Sequence, residues 1–227
     1  LSFVELGKSH PSAELLMRIA SGLELPLRER NDWLLAAGYA PRYPETPLAE
    51  LPRIRASLQA LLDAHDPFPG VAIDQRWDVR LGNRAARRLI AGVPASVRGE
   101  PTNLFRAALH PDGFAARTRN FPQWSAYLLR RLDRAVARTR DPSLAALAAE
   151  IGTWPGIPAR RSLAPDEADD PVLPWRLELE GAELSMFSLL STFGTPMDVT
   201  LADLSIELFF PADEPTESFL RRVNGDG

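Results

Sequence analysis

The chain has 227 residues, 45% hydrophobic and 25% charged, with a formal net charge of -4 and no cysteine. That length fits one large domain or two unequal ones, and the composition excludes a mainly disordered or fibrous chain. Without cysteine there are no disulfides, thiolate metal sites or thiol nucleophiles, and three histidines far apart in sequence offer little to a metal centre or a catalytic triad.

Leu1 to Glu5 read as the second half of a helix already under way, with Leu1 and Val4 on one face and Gly7 as a left-handed stop. This implies an upstream half. The polar turn Lys8-Ser9-His10-Pro11 follows, and Ser12 caps a helix carrying Leu15, Leu16, Ile19, Ala20 and Leu23 at helical spacing, closed by Gly22. Pro26 opens another, expected to bury Leu27, Leu34, Leu35 and Ala37 and to end at Gly38. Tyr39 to Pro47 contains three prolines and no periodicity, so the domain boundary is placed there: 1–44 as one unit, 45–227 as the other. Leu48, Leu51, Ile54, Leu58, Leu61 and Leu62 then trace one amphipathic helix that Pro67 and Pro69 end.

Val71 to Asp74 and Trp77 to Leu81 alternate around Asp74-Gln75-Arg76, which predicts a hairpin. Asn83 caps a helix ending near Gly92, a short helix surrounds Leu104, Phe105 and Leu109, and the longest runs from about Pro122 to Thr139 through Trp124, Leu128, Leu132 and Val136. Asp141-Pro142 starts one more. Three strands close the chain: Trp175 to Leu179, Leu184 to Phe193, and the alternating set Leu204, Ile206, Leu208 and Phe210. The expected class is α+β: a small all-α N-terminal part, then a five-stranded antiparallel sheet covered by helices, an arrangement that resembles a PAS fold.

Charge is distributed unevenly. Residues 1–44 balance five basic against five acidic side chains, 72–164 carry 16 Arg against seven acids, and 165–227 carry 14 acids against three Arg. The simplest reading is segments that pack together with mixed solvated surfaces, with a basic stripe for nucleic acid as the alternative. No apolar run reaches the roughly 20 residues of a membrane helix, and a cytoplasmic location is expected.

Several segments carry a family resemblance. Glu5-Leu6-Gly7-Lys8-Ser9-His10-Pro11-Ser12 is similar to the end of an Xre-type recognition helix. Pro26-Leu27-Arg28-Glu29-Arg30-Asn31, Asn103-Leu104-Phe105-Arg106, Leu109-His110-Pro111-Asp112-Gly113 and Thr192-Phe193-Gly194-Thr195-Pro196 with Asp198-Val199-Thr200-Leu201 resemble MmyB-like transcription regulators. The resemblance implies a truncated helix-turn-helix segment followed by a PAS-like sensor domain, in a homodimeric regulator that binds DNA through its intact N-terminal domain and is linked to antibiotic metabolism. On this resemblance, the family's first two DNA-binding helices are expected to lie outside this stretch.

On this reading Ser2, Lys8, Ser9 and His10 are the candidate DNA contacts, positioning the backbone rather than reading bases. The plain alternative is a solvated turn. For a small apolar effector, the candidate lining is Trp77, Phe105, Phe121, Trp124, Trp175, Phe187 and Phe193, with Arg106, His110 and Asn120 as polar groups; the alternative for each is core packing or a local cap. An Arg at the mouth of such a cavity suits a fatty-acid-like carboxylate. No cofactor, metal or enzymatic activity is expected, because no nucleophile motif or phosphate loop is present. The competing readings are a dimerisation scaffold without ligand, and an enzyme using His110 and Asp112 as acid and base.

Overall fold

A computed structural model describes residues 10–158 and 172–225. The chain divides into two compact units: Leu1–Arg55 with Thr192–Leu204, and Ala56–Ser191 with Ser205–Gly227.

In the first unit, Ser12 accepts the Leu15 N–H at 3.2 Å and starts α1 (Ala13–Gly22); Pro26 precedes α2 (Leu27–Ala36). Gly38, at φ +77°, ends that helix in a conformation that a side chain would strain. Leu35, expected in the core, is 54% exposed, because α2 buries only the face carrying Asn31 and Leu34. Asn31 does what the sequence did not announce. Its side-chain oxygen accepts the N–H groups of Arg42 and Tyr43 at 3.0 Å each, and its amide donates to the Tyr43 carbonyl at 2.7 Å. The proline-rich stretch is thereby tied back onto α2.

The single helix expected from Leu48 is two pieces, a 3₁₀ turn at Leu48–Glu50 and α3 (Pro52–Ala64). Pro52 is the reason: it lacks an N–H and is tolerated only in a first turn, so the helix restarts there.

The second unit is built on one sheet. Strands β1 (Gly70–Ile73), β2 (Val79–Gly82), β3 (Trp175–Leu179), β4 (Ala182–Thr192) and β5 (Ser205–Pro211) lie in the order β2-β1-β5-β4-β3. The register pairs Val71 with Gly82, Ala72 with Ile206 and Leu177 with Leu184, all antiparallel. Between β2 and β3 come α4 (Arg84–Ala91), α5 (Ala95–Arg98), α6 (Leu104–Leu109), α7 (Phe121–Thr139) and α8 (Pro142–Ile151). The main core fills the space between them and the sheet, with Phe105, Leu109, Leu129, Leu132, Leu144, Ile151, Leu177 and Met186 almost fully buried. The α+β class and five-stranded antiparallel sheet expected from the sequence are therefore present. Two helices were not expected: α5, and α10 (Glu214–Asn224), which Asp213 caps by accepting the Thr216 N–H at 2.8 Å. Both open next to a proline, Pro94 and Pro215, a start signal that passed unread.

One buried side chain holds the first hairpin to its helices. Asn83 is fully buried; its oxygen accepts the N–H groups of Gly70 at 3.0 Å and Ala86 at 2.9 Å, and its amide donates to the carbonyls of Leu62 at 3.1 Å and Phe68 at 2.7 Å. Replacing it leaves several buried backbone groups without partners, each costing about 1–3 kcal/mol. Asn83→Ala is therefore expected to lower stability by about 3 kcal/mol or more in urea unfolding, and Asn83→Asp, which turns a buried carboxylate oxygen toward the Leu62 and Phe68 carbonyls, by at least as much at neutral pH.

Candidate ligand pocket

The helix-covered side of the sheet does not close completely. An apolar cavity of about 60 Å³ remains, lined by Val71 of β1, Trp77 of the hairpin turn, Ala86, Leu89 and Ile90 of α4, the α6 residues Leu104, Phe105, Ala107 and Ala108, Phe114, Trp124 and Leu128 of α7, Trp175 of β3, and Glu207 and Phe209 of β5, with Pro69 at the edge.

Four of the aromatic residues singled out from the sequence meet here: Trp77, Phe105, Trp124 and Trp175. Trp77 and Phe105 have ring centroids 4.6 Å apart, and Trp124 stacks on Trp175 at 5.8 Å with an interplanar angle of 8°. Trp77 is held at φ 67°, a left-handed conformation that costs a bulky residue about 1–3 kcal/mol. The turn fixes it there: its N–H donates to Asp74 O at 2.9 Å, and its carbonyl accepts the Leu104 N–H at 3.0 Å. The strain is met by what the ring does, since Trp77 lines the pocket, packs on Phe105 and lies 4.2 Å beneath the Arg131 guanidinium.

The other aromatic and polar candidates lie elsewhere. Arg106 donates both ends of its guanidinium to Glu150, each at 2.5 Å, and lines a separate polar cleft. His110 accepts the Asp112 N–H at 3.0 Å on Nδ1 and meets Trp154 edge-on at 4.8 Å. Asn120 donates to Pro174 O at 2.8 Å and accepts the Arg176 N–H at 3.1 Å, joining the start of α7 to β3. Phe121 is half-buried against Gly156. Phe187 stacks on Phe210 at 5.6 Å, and Phe193 belongs to the first unit. Ser2, Lys8 and Ser9 lie outside the described residues; His10 is exposed, with Tyr39 edge-on at 5.8 Å.

Sequence reading missed the charged group in the wall. Glu207, 5% exposed in its side chain, accepts from Arg131 at 3.1 Å and from the Ser188 hydroxyl at 2.8 Å, and Arg131, 10% exposed, also donates to the Tyr127 hydroxyl at 3.1 Å. The strand alternation was read from Ile206, Leu208 and Phe210, yet the opposite set, Glu207 and Phe209, faces the pocket. Both faces of β5 are covered, Phe210 meeting the His65 ring at 4.8 Å on its own side, so alternation reveals two faces without saying which is inward.

A second, polar cleft of about 310 Å³ involves Arg76, Asp78, Arg98, Asn103 and Arg106. Burial raises the Asp78 carboxyl despite the Asn103 hydrogen bond. Burial also works to raise Asp141, the cap of α8, but the hydrogen bonds from Arg76 and Ser143 outweigh it and hold that carboxyl below the usual range. These arginines have partners already, Arg76 on Asp141 at 2.6 Å and Arg106 on Glu150, so the cleft reads as a structural network. Among the described residues no cluster of His, Asp and Glu is arranged to hold a metal ion, and no helix is long and apolar enough to cross a membrane.

In the first unit, the segment joining β4 to β5 carries a short helix, α9 (Val199–Asp203). Asp198 accepts the Thr200 N–H at 2.8 Å and the Thr46 N–H at 3.1 Å, and the Val199 N–H donates to Pro44 O at 2.8 Å. Arg28 of α2 reaches Asp203 at 2.9 Å and Glu45 at 2.5 Å; the hydrogen bond with Glu45 foremost holds its guanidinium well above its ordinary value against the opposing effect of burial. A piece of chain between two sheet strands is thus fastened to the N-terminal helices.

A family model described as the MmyB-like transcription regulator ligand binding domain matches residues 54–223. No curated protein matches the chain. Among solved structures, the chain is similar to the PAS domain from Bordetella pertussis BvgS, at 17% identity over 75% of this chain and 94% of that chain, with a TM-score of 0.31.

Removing Arg131 strands a buried carboxylate beside the pocket, the circumstance in which a broken ion pair costs about 3–5 kcal/mol. Arg131→Met is expected to lose that much in denaturant unfolding, and the double variant Arg131→Met, Glu207→Leu to recover most of it; equal losses in both would show that packing of the Arg131 stem, not the charge, is what matters.

Proposed function

The chain belongs to the MmyB-like transcription regulator ligand-binding domain family, and from that premise we propose that it is the sensing part of a DNA-binding transcription regulator whose effector is a small apolar molecule held in the pocket between the sheet and α4, α6 and α7. The single observation that carries this reading is the pocket itself. It lies within the family-matched residues, it is lined almost wholly by apolar and aromatic side chains, and one lining residue, Trp77, keeps a strained backbone while its ring forms part of the wall.

The route from pocket to DNA-binding part is proposed along the chain. Glu207 and Phe209 face the effector from β5, and β5 continues directly from the segment that Arg28 and Asp198 fasten to α2 and its following stretch. An effector that binds one setting of β5 better than another shifts the balance between those settings, and the difference in affinity is the whole of the available coupling. We assign residues 1–44 to the DNA-binding side and 45–227 to the ligand-binding side, with Ser2, Lys8, Ser9 and His10 as phosphate contacts, in a cytoplasmic homodimer connected with antibiotic metabolism. An enzyme built on His110 and Asp112 gains no support, since His110 is engaged with the Asp112 backbone and packs on Trp154 away from the pocket. The chain is proposed to act without catalysis.

Binding to the folded state raises stability by about 2.7 kcal/mol when ligand is present at a hundred times its dissociation constant. For a chain of this size that is a rise in melting temperature of about 5–10 °C. A thermal-shift screen of the full chain against small ketones, alcohols, aromatics and fatty acids is expected to give such a rise for a subset, abolished by filling the pocket with Ala107→Phe; a flat response across the screen would contradict sensing.

A further inference from the structure

A second cavity, of about 130 Å³, adjoins the first. Pro69 and Leu89 line both, so the two spaces meet at one proline and one leucine. Beyond them the second cavity is walled by Arg88 on α4, Glu180 in the turn after β3, Met186 of β4, and Leu220 and Val223 of α10. The two residues at the junction differ in what they allow. Pro69 is buried, and its ring fixes its shape. Leu89 is half-buried, and a leucine side chain moves between staggered rotamers. Turning that one side chain joins the two spaces.

Volume gives a reason for the junction to open. At about 60 Å³ the first cavity is well below the roughly 150 Å³ space that takes benzene in an engineered protein core. An effector of molecular size therefore extends past its walls, and of the two residues backed by the second cavity Leu89 is the one that turns. What lies over that second cavity is fastened in a way that responds to its filling. The carbonyls of Val223 and Asn224, which the end of α10 leaves without intrahelical donors, accept from Arg88 and Arg84 of α4. Arg88 also reaches Glu180 at 3.4 Å, and with side chains 53% and 55% exposed that pair adds little strength. Met186, on the opposite wall, is a side chain that adapts to the shape beside it. The last turn of α10 is thus held partly through Arg88, which itself lines the cavity.

We propose that the second cavity is the far end of the effector site: an unbranched apolar chain fills the first cavity, turns Leu89 aside and ends beneath the last turn of α10, where its length is measured. This rests on the sensing reading given above and adds to it a residue that sets length, Leu89, and a further element that registers occupancy, α10. A chain too short to pass Leu89 leaves α10 as it is.

The test uses the full chain and the straight-chain alcohols 1-butanol, 1-hexanol, 1-octanol and 1-decanol, whose heads are alike and uncharged. Affinity is expected to rise about fourfold for each methylene that reaches the second cavity. Val223→Phe, which puts a ring into that cavity from a half-buried position, is expected to bind 1-butanol as the wild type does and to weaken 1-decanol at least tenfold. Hydrogen exchange on the wild type reads the same point without a variant, so the test survives if Val223→Phe does not fold: 1-decanol is expected to slow the amides of 220–224, and 1-butanol to leave them unchanged. Equal weakening of all four alcohols by Val223→Phe, no weakening of any, or protection by 1-decanol that spares 220–224 overturns the two-cavity site and leaves the sensing reading standing. No binding by any of the four overturns both.

Discussion

Glu207 places a carboxylate in an otherwise apolar pocket lining on the inner face of the sheet, and the structure depends on how that charge is met. Arg131 reaches it from α7, and in doing so the guanidinium lies over Trp77 and bonds the Tyr127 hydroxyl. One buried pair therefore ties the middle strand of the sheet to the longest helix and to the hairpin turn. A buried pair of this kind is seldom the most stable solution available, since well-packed hydrophobic side chains commonly do as well or better. Its consequence here is positional: it fixes three of the elements that border the cavity.

The rest of the pocket follows from that frame. With α7 held, Trp124 stacks on Trp175, whose own indole N–H donates to the Thr118 hydroxyl. With the hairpin held, Trp77 keeps a backbone angle better suited to glycine and gives the chamber one of its walls. Close approach does similar work near α6, where a side chain on Gly113 would collide with the Ala107 carbonyl, so only glycine lets the loop after the helix pass this close to it.

Much of the fold was legible in the sequence because its signals were local. Ser12, Asn83 and Asp141 cap helices as their positions suggest, and the alternation in 175–179 is that of a strand with one face buried, whereas 71–73 is buried on both faces. The aromatic core of the pocket was legible too, in Trp77, Phe105, Trp124 and Trp175. What stayed hidden depends on partners distant in sequence. Arg131 sits in a helix face that reads as solvated, and only the fold brings Glu207 to it across 76 positions. Arg106, His110 and Asn120 have the chemistry of ligand contacts, but nothing in a sequence shows that Glu150, Asp112 and Arg176 have already taken them. The membership of Thr192–Leu204 in the first unit has no periodic signature at all, because it is written in single hydrogen bonds from Asp198 and Arg28.

The proposed connection runs from the chamber in the sheet along β5 and the segment before it to the N-terminal helices. Hydrogen exchange on the full chain, with and without whichever compound raises its melting temperature most, tests that connection. Slower exchange in 205–211 together with a change in 192–204 and in α2 is the predicted result; protection confined to the residues around the cavity, with 192–204 and α2 unaltered, would contradict it.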